Sequence, residues 1–356
     1  MKIAMCNYYG MCDKENNVIG HTSKVTQEYG EILNSICEVT LMASPCIANS
    51  VIGEVFHKVE CLKYDIYIDE PFTLKKRLYD KVKLLKNISE CFKKTDAEAL
   101  FFYQVDFFFF FYIALLYKQH QRKVYCLIYH QDFTGGRFER ILEFFYKNAL
   151  DKIDGVLYTQ REHKINHPNA YWIPDFLYSK ERYMQYQRMK KEQKVVCLGT
   201  MNRYKQLEKL VEIFAENKYP LEIIGRFDDV SRFEKLRKCN IDTIQIENRV
   251  LDTQEYYTKL ASAKYSILPY NMEQYQNRTS GVLLESLFVG SIPIAPRTLL
   301  EQNHLVGVEY QDIDDLKKMD WENMELDRIE SERRKILEDY GIERSVVNIE
   351  RLFNTR

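Results

Sequence analysis

The sequence predicts an α/β chain built as two Rossmann-like, doubly wound parallel-sheet domains facing a cleft. Three observations carry this. Short β-rich runs alternate with helical stretches along nearly the whole chain. The alternation restarts past a polar stretch near residue 180. The length of 356 residues suits about two hydrophobic cores at roughly 150 residues each.

In chain order, the first set of strands is read at 2–8, 37–43, 99–104, 123–130 and 155–159. The second set is read at 194–200, 220–225, 242–246, 264–270 and 291–296, with helices between. Residues 1–175 form a first domain and 176–340 a second. The run 328–353 reads as helix interrupted at Gly341, so 341–356 is a terminal helix able to pack back on the first domain. Sheets of this kind bind ligands at the carboxyl ends of their strands.

Composition removes whole classes. With 51 Lys+Arg against 52 Asp+Glu, the chain has neither the bulk positive charge of a nucleic-acid binder nor an acidic, solvating character. Apolar residues at 46%, with only 13 Gly and 8 Pro, exclude collagen-like and disordered chains. No charged, apolar and small-residue leader opens the sequence, which implies a cytoplasmic protein. The apolar run Phe107–Tyr117 is too short to span a bilayer, which takes about 20 residues, and reads as a buried helix. Nine cysteines without a C-x-x-C pair imply buried thiols rather than disulfides or a zinc cage. No D-x-D element stands near the end of a strand read above and no H-E-x-x-H occurs, so no metal is expected, and no cofactor is implied.

Four segments carry chemistry. In Asn277-Arg-Thr-Ser-Gly-Val-Leu-Leu-Glu285, Ser280 suits an N-cap and Gly281 lets a ligand approach the backbone, so amides at a helix start would meet an anion. Glu285 follows one turn later on the same face, placed to accept from a sugar diol beside a phosphate. An ordinary capped helix packing Leu283, Leu284, Leu287 and Phe288 reads equally well. In Gly199-Thr-Met-Asn-Arg203-Tyr-Lys205 a strand delivers a glycine and two cations to a helix start, a common way to hold a diphosphate. Gly20 lies in an N-terminal loop before a helix, where a glycine permits close approach. His130 ends a strand, where a histidine is either held in place or used.

In this order and spacing the segments resemble the retaining nucleotide-sugar glycosyltransferases of the GT-B fold, particularly bacterial polysaccharide and lipid-linked-glycan transferases. The resemblance is motif-grade between about 190 and 297. It implies that Glu285, second glutamate of a Glu-x7-Glu motif, holds the donor ribose. Asn277 stands where the first glutamate would touch the transferred sugar, and brings no charge. Lys205 matches the pyrophosphate lysine. Thr200 replaces the arginine after Gly199, with Arg203 or Arg278 able to supply a guanidinium. Val250 lies where the family pairs backbone groups with the base, Gly20 matches the loop glycine near the donor phosphates, and His130 matches a histidine near acceptor and reacting carbon.

The resemblance implies transfer, with retention and without metal, from a UDP- or GDP-linked sugar to a glycan or lipid-linked acceptor in surface polysaccharide biosynthesis. Charge growing on the leaving phosphate would meet Arg203, Lys205 and the Ser280 and Gly281 amides. A nucleotide-sugar epimerase of the same fold and a non-catalytic nucleotide-sugar binder are the alternatives. In 73–94, Leu74, Leu78, Val82, Leu85, Ile88 and Phe92 recur at helical spacing among eight Lys/Arg and two acids. That stripe either packs on the first sheet with its lysines solvated or lies on the inner face of an anionic plasma membrane.

Overall fold

A computed structural model describes residues 1–16, 18, 22–67, 73–118, 122–129, 139–161, 164–273 and 280–354. The chain divides into two compact units, Met1–Leu177 with Ile342–Arg356, and Tyr178–Gly341.

The first unit runs β1 (Lys2–Asn7), β2 (Met11–Cys12), α1 (Thr22–Asn34), β3 (Glu38–Ala43), α2 (Pro45–Ser50), β4 (Lys58–Cys61), β5 (Ile66–Tyr67), α3 (Leu74–Lys94), β6 (Ala99–Phe102), α4 (Phe107–Leu115), β7 (Lys123–Ile128), α5 (Glu139–Leu150), β8 (Gly155–Tyr158) and β9 (Ala170–Trp172). Seven strands form one parallel sheet in the order β4-β3-β1-β6-β7-β8-β9, and β2 pairs with β5 apart from it. The sheet is apolar on both faces, as a helix-covered parallel sheet must be. Ala4 and Cys6 enter one core cluster with Leu100 and Phe102, while Ile3 and Met5 enter the other with Ala99 and Phe101. That alternation is the two-residue period of a strand.

The second unit runs α6 (Lys180–Gln187), β10 (Glu192–Leu198), α7 (Leu207–Asn217), β11 (Leu221–Gly225), α8 (Val230–Arg237), β12 (Ile244–Asn248), α9 (Thr253–Ser262), β13 (Ala263–Ile267), α10 (Gly281–Val289), β14 (Ile292–Pro296), α11 (Arg297–Gln302), β15 (Val308–Tyr310) and α12 (Asp327–Asp339). Its six strands are parallel in the order β12-β11-β10-β13-β14-β15. The last helix, α13 (Ile342–Asn354), returns to the first unit. There Asn348 Nδ2 donates to the Trp172 carbonyl at 2.9 Å, Asn169 Nδ2 donates to the Leu352 carbonyl at 3.0 Å, and Phe353 meets Tyr125 edge-on at 4.8 Å.

Helix starts follow their caps. Thr73 accepts from the Lys76 amide to open α3, Asp106 accepts from the Phe108 and Phe109 amides to open α4, and Asp252 accepts from the Glu255 amide to open α9. No helix among the described residues is long and apolar enough to cross a membrane. The α3 stripe divides between its two readings, and the buried helix expected at 107–117 is corrected. Only the distal half of the α3 stripe packs, through buried Ile88 and partly buried Phe92, whereas Leu74, Leu78 and Val82 are exposed. Likewise α4 is buried on one side only, through Phe109, Phe110 and Ile113, while Leu115 is exposed at its end.

Candidate functional site

In both sheets the strand order reverses beside the first strand, between β1 and β6 and between β10 and β13. Such a reversal opens a crevice at the carboxyl ends of the two strands. In the second unit that crevice lies between the loop after β10 and the start of α10, which belong to the two segments singled out from the sequence.

The apolar strand β10 delivers Gly199, whose φ of +94° suits a residue without a side chain. Its α-carbon faces the first turn of α10, since a β-carbon there would stand 3.6 Å from Val282 Cγ2. The backbone of β11 passes closer still, because a β-carbon on Gly225 would fall 1.6 Å from the Gly199 carbonyl oxygen. The loop is held on two sides. Gln206 N donates to the Pro269 carbonyl at 2.7 Å and Asn271 N to the Tyr204 carbonyl at 2.8 Å. From α8, Arg232 donates to the carbonyls of Asn202 at 2.8 Å and Lys205 at 2.7 Å, while Glu208 accepts both from its Nε and from a terminal nitrogen. This guanidinium holds the Glu208 carboxyl below its ordinary value.

Lys205 is buried at 4% exposure. Its Nζ donates to the Leu198 carbonyl at 2.9 Å and stands 3.8 Å from Met201 Sδ, with the Tyr270 ring 5.7 Å away. A buried ammonium is costly unless paired, and three donors on one nitrogen leave this one able to bind more than a single carbonyl. Arg203 is exposed and rests on Tyr204, donating to its hydroxyl at 3.3 Å.

Ser280 stands at the N-cap of α10, buried at 3% exposure, but its side chain makes no cap hydrogen bond. This corrects the expected serine cap: the carbonyl of Ser280, accepting from Leu283 N at 3.1 Å, starts the helix. The first-turn amides of Gly281 and Val282 are thus left uncapped by that hydroxyl, with the positive end of the helix dipole behind them. Along α10, Leu283, Leu284, Leu287 and Phe288 are all but fully buried, so the packed-helix reading holds for those positions. Glu285 is the one charge on this helix and is itself only 5% exposed. Its Oε2 accepts from the Tyr256 hydroxyl and its Oε1 from the Tyr257 hydroxyl, both at 2.7 Å. Burial, then the Glu285 charge, pushes the Tyr256 hydroxyl well above its ordinary value, so Tyr256 stays a donor.

Val250 follows β12 and is 76% exposed; Arg249 before it pairs with Glu255 at 2.6 Å and also with Glu247. Gly20, His130, Asn277 and Arg278 lie outside the described residues. Tyr256, Tyr257, Tyr270 and Arg232 were not anticipated. The only sequence signal for the first two is the Asp252-x-x-Glu255 cap, which fixes the start of α9.

The first unit has a cavity of about 590 Å³ beside the ends of β3 and β4, lined by Asn16, Cys46, Asn49, Lys63, Asp65 and Lys83 among others. The lining groups Cys46 Sγ and an Asp65 carboxylate oxygen lie within 4.8 Å of each other and of the buried Cys12 Sγ. Burial pushes both thiols up, with the Asp65 charge acting in the same direction, and Asp65 Oδ1 accepts from the Cys46 amide at 3.1 Å.

No protein-family model matches the chain, and no curated protein matches it by sequence. Solved structures match over its whole length. Sucrose-phosphate synthase from Thermosynechococcus elongatus is 15% identical, with a TM-score of 0.60 over 99% of this chain and 98% of that one. AviGT4, a glycosyltransferase involved in avilamycin A biosynthesis, is 13% identical with a TM-score of 0.57 over 100% and 99%. HepE from Anabaena, in complex with UDP and glucose, is 11% identical with a TM-score of 0.59 over 98% of each chain. At such identities the likeness fixes the fold: two Rossmann-like domains of the GT-B type.

Proposed function

We propose that the chain is a glycosyltransferase that moves a sugar from a UDP- or GDP-linked donor to a glycan or lipid-linked acceptor, with retention and without a metal. The observation that carries this reading is that the two segments flanking one strand-order reversal each supply a buried charge, the cation Lys205 after β10 and the carboxylate Glu285 within α10. A diphosphate needs the first and a ribose diol suits the second. The same fold in AviGT4 and in HepE bound to UDP supports it.

In this reading Lys205, Arg203 and the amides at Ser280 and Gly281 meet the charge that grows on the leaving phosphate, preorganised by the Arg232 clamp and the Gly199 turn. The Tyr256 and Tyr257 hydroxyls orient Glu285 toward the ribose. Backbone groups at Val250 meet the base. The acceptor oxygen forms its bond to the anomeric carbon as the carbon–phosphate-oxygen bond breaks on the same face, and the acceptor proton passes to a phosphate oxygen. Asn277 and Arg278 take the sugar and phosphate side of the donor, Gly20 its phosphates, and His130 the reacting carbon, on the strength of the motif resemblance. The acceptor belongs to bacterial surface polysaccharide biosynthesis, at the inner face of the membrane.

The test is nucleotide release from a panel of UDP- and GDP-sugars with and without glycan acceptors. Acceptor-dependent release is expected. Donor conversion without any acceptor would assign an epimerase, and no turnover with tight binding would assign a non-catalytic binder.

A further inference from the structure

Among the described residues, thirteen large apolar side chains are exposed; seven of them fall on three consecutive helices of the first unit and an eighth directly follows one of these helices. They are Leu74, Leu78, Tyr79 and Val82 on α3, Leu115 at the end of α4 and Leu116 just beyond it, and Ile141 and Phe144 on α5, between 46% and 74% exposed. The remaining five are scattered. A patch on neighbouring elements marks a contact surface, whereas single exposed apolar residues do not.

Side-chain contacts join the three helices across this patch. Lys81 on α3 lies over the Phe108 ring of α4 at 4.4 Å, and Phe108 meets Phe107 at 5.5 Å. Phe107 and Phe111 both meet Phe145 of α5, at 6.0 and 5.2 Å, and Phe145 meets the exposed Phe144 at 5.6 Å. On α3 the apolar positions 74, 78 and 82 recur every four residues, and Lys81 stands one turn from Leu78, so the stripe borders the aromatic ladder.

We propose that this α3–α4–α5 face docks on an anionic lipid bilayer. Charge selects that occupant. Helix α3 carries eight Lys/Arg against Asp80 and Glu90, and Lys75, Arg77, Lys86 and Lys93 are exposed. Leucine and phenylalanine on one side, with lysines whose stems can lie along the apolar surface and whose heads reach phosphate, is the composition of an interfacial helix surface. Basic residues near an anionic leaflet each add about 1 kcal/mol of attraction, roughly a fivefold gain in binding.

The full chain is sedimented with vesicles of phosphatidylcholine alone and of phosphatidylcholine mixed with phosphatidylglycerol. Binding to the mixed vesicles is expected to be about tenfold or more tighter than to neutral ones and to weaken with salt. Lys75→Glu/Arg77→Glu and, separately, Leu78→Ser/Phe144→Ser are each expected to reduce it at least about tenfold with the melting temperature held, since all four side chains are exposed. Lys75→Gln/Arg77→Gln serves if the charge reversal fails to fold. Recovery in the supernatant with both vesicle types, or unchanged binding in both pairs, overturns the proposal. So does sedimentation velocity that finds a wild-type dimer dispersed by Leu78→Ser/Phe144→Ser, which would assign the face to a second copy. Vesicle binding is read without donor or acceptor, so its failure leaves the donor site untouched.

Discussion

The two sheets reverse strand order in the same way and treat the resulting crevice differently. Between β1 and β6 it is filled. Tyr8, fully buried, donates to Asp106 Oδ1 at 2.8 Å and accepts from the Asp106 amide at 2.9 Å, stacking on Phe109 at 6.5 Å. Beside it Asn7 Nδ2 donates to the Tyr103 hydroxyl at 2.6 Å, which also meets Thr26. Between β10 and β13 the same place holds Gly199, the Lys205 ammonium and the start of α10. Topology supplies the crevice in both units. Bulk and hydroxyls line one of them, whereas a glycine and a buried cation line the other.

The largest effect that tests this contrast is expected at Lys205. Lys205→Met keeps the stem and removes the charge, and should lower kcat/KM by about 10²-fold, the usual cost of one transition-state donor, with little change in stability. Glu285→Gln is expected to weaken donor binding by about tenfold to 150-fold, since a charge-assisted bond contributes about 1.5–3 kcal/mol. Tyr256→Phe should raise KM less and leave kcat in place, as befits a residue that positions the carboxylate. In the filled crevice the expectation inverts. Tyr8→Phe removes the hydroxyl to which the Asp106 amide donates, while Asp106 Oδ1 keeps the Phe108 and Phe109 amides, and should cost about 1–3 kcal/mol in urea denaturation, with donor affinity unchanged.

The smallest effect separates a buried cation from a site. At the amino-terminal edge of the second sheet Lys191 donates to the Ala261 carbonyl at 2.5 Å and the Val289 carbonyl at 3.0 Å. Burial, then the Arg333 charge, lowers it from 10.5 to about 8. Between those values the unfolded chain binds the proton that the folded chain has released, so stability rises with pH from about 8 toward 10.5. Lys191→Met should flatten that rise in urea midpoints and leave transfer activity intact.

What the sequence made legible was local. Central strands buried on both faces announced themselves as apolar runs, whereas the short edge strands β4, β9 and β15, largely part-exposed, had no such pattern. Lys205 and Glu285 could be read because each sits at a fixed spacing from a glycine beside a helix start. Their supports could not: Tyr256 and Tyr257 reach Glu285 from 29 and 28 residues away, and Arg232 reaches Lys205 from 27. The α3 stripe shows the same limit, because helical spacing identifies an apolar face and says nothing of what covers it.

The most direct test of the account is thermal denaturation of the full chain with UDP and with GDP, since ligand at 100 times its dissociation constant adds about 2.7 kcal/mol of stability. The account predicts a rise in melting temperature with one of the two that is lost in Lys205→Met. No rise with either, or an equal rise in the variant, would contradict it.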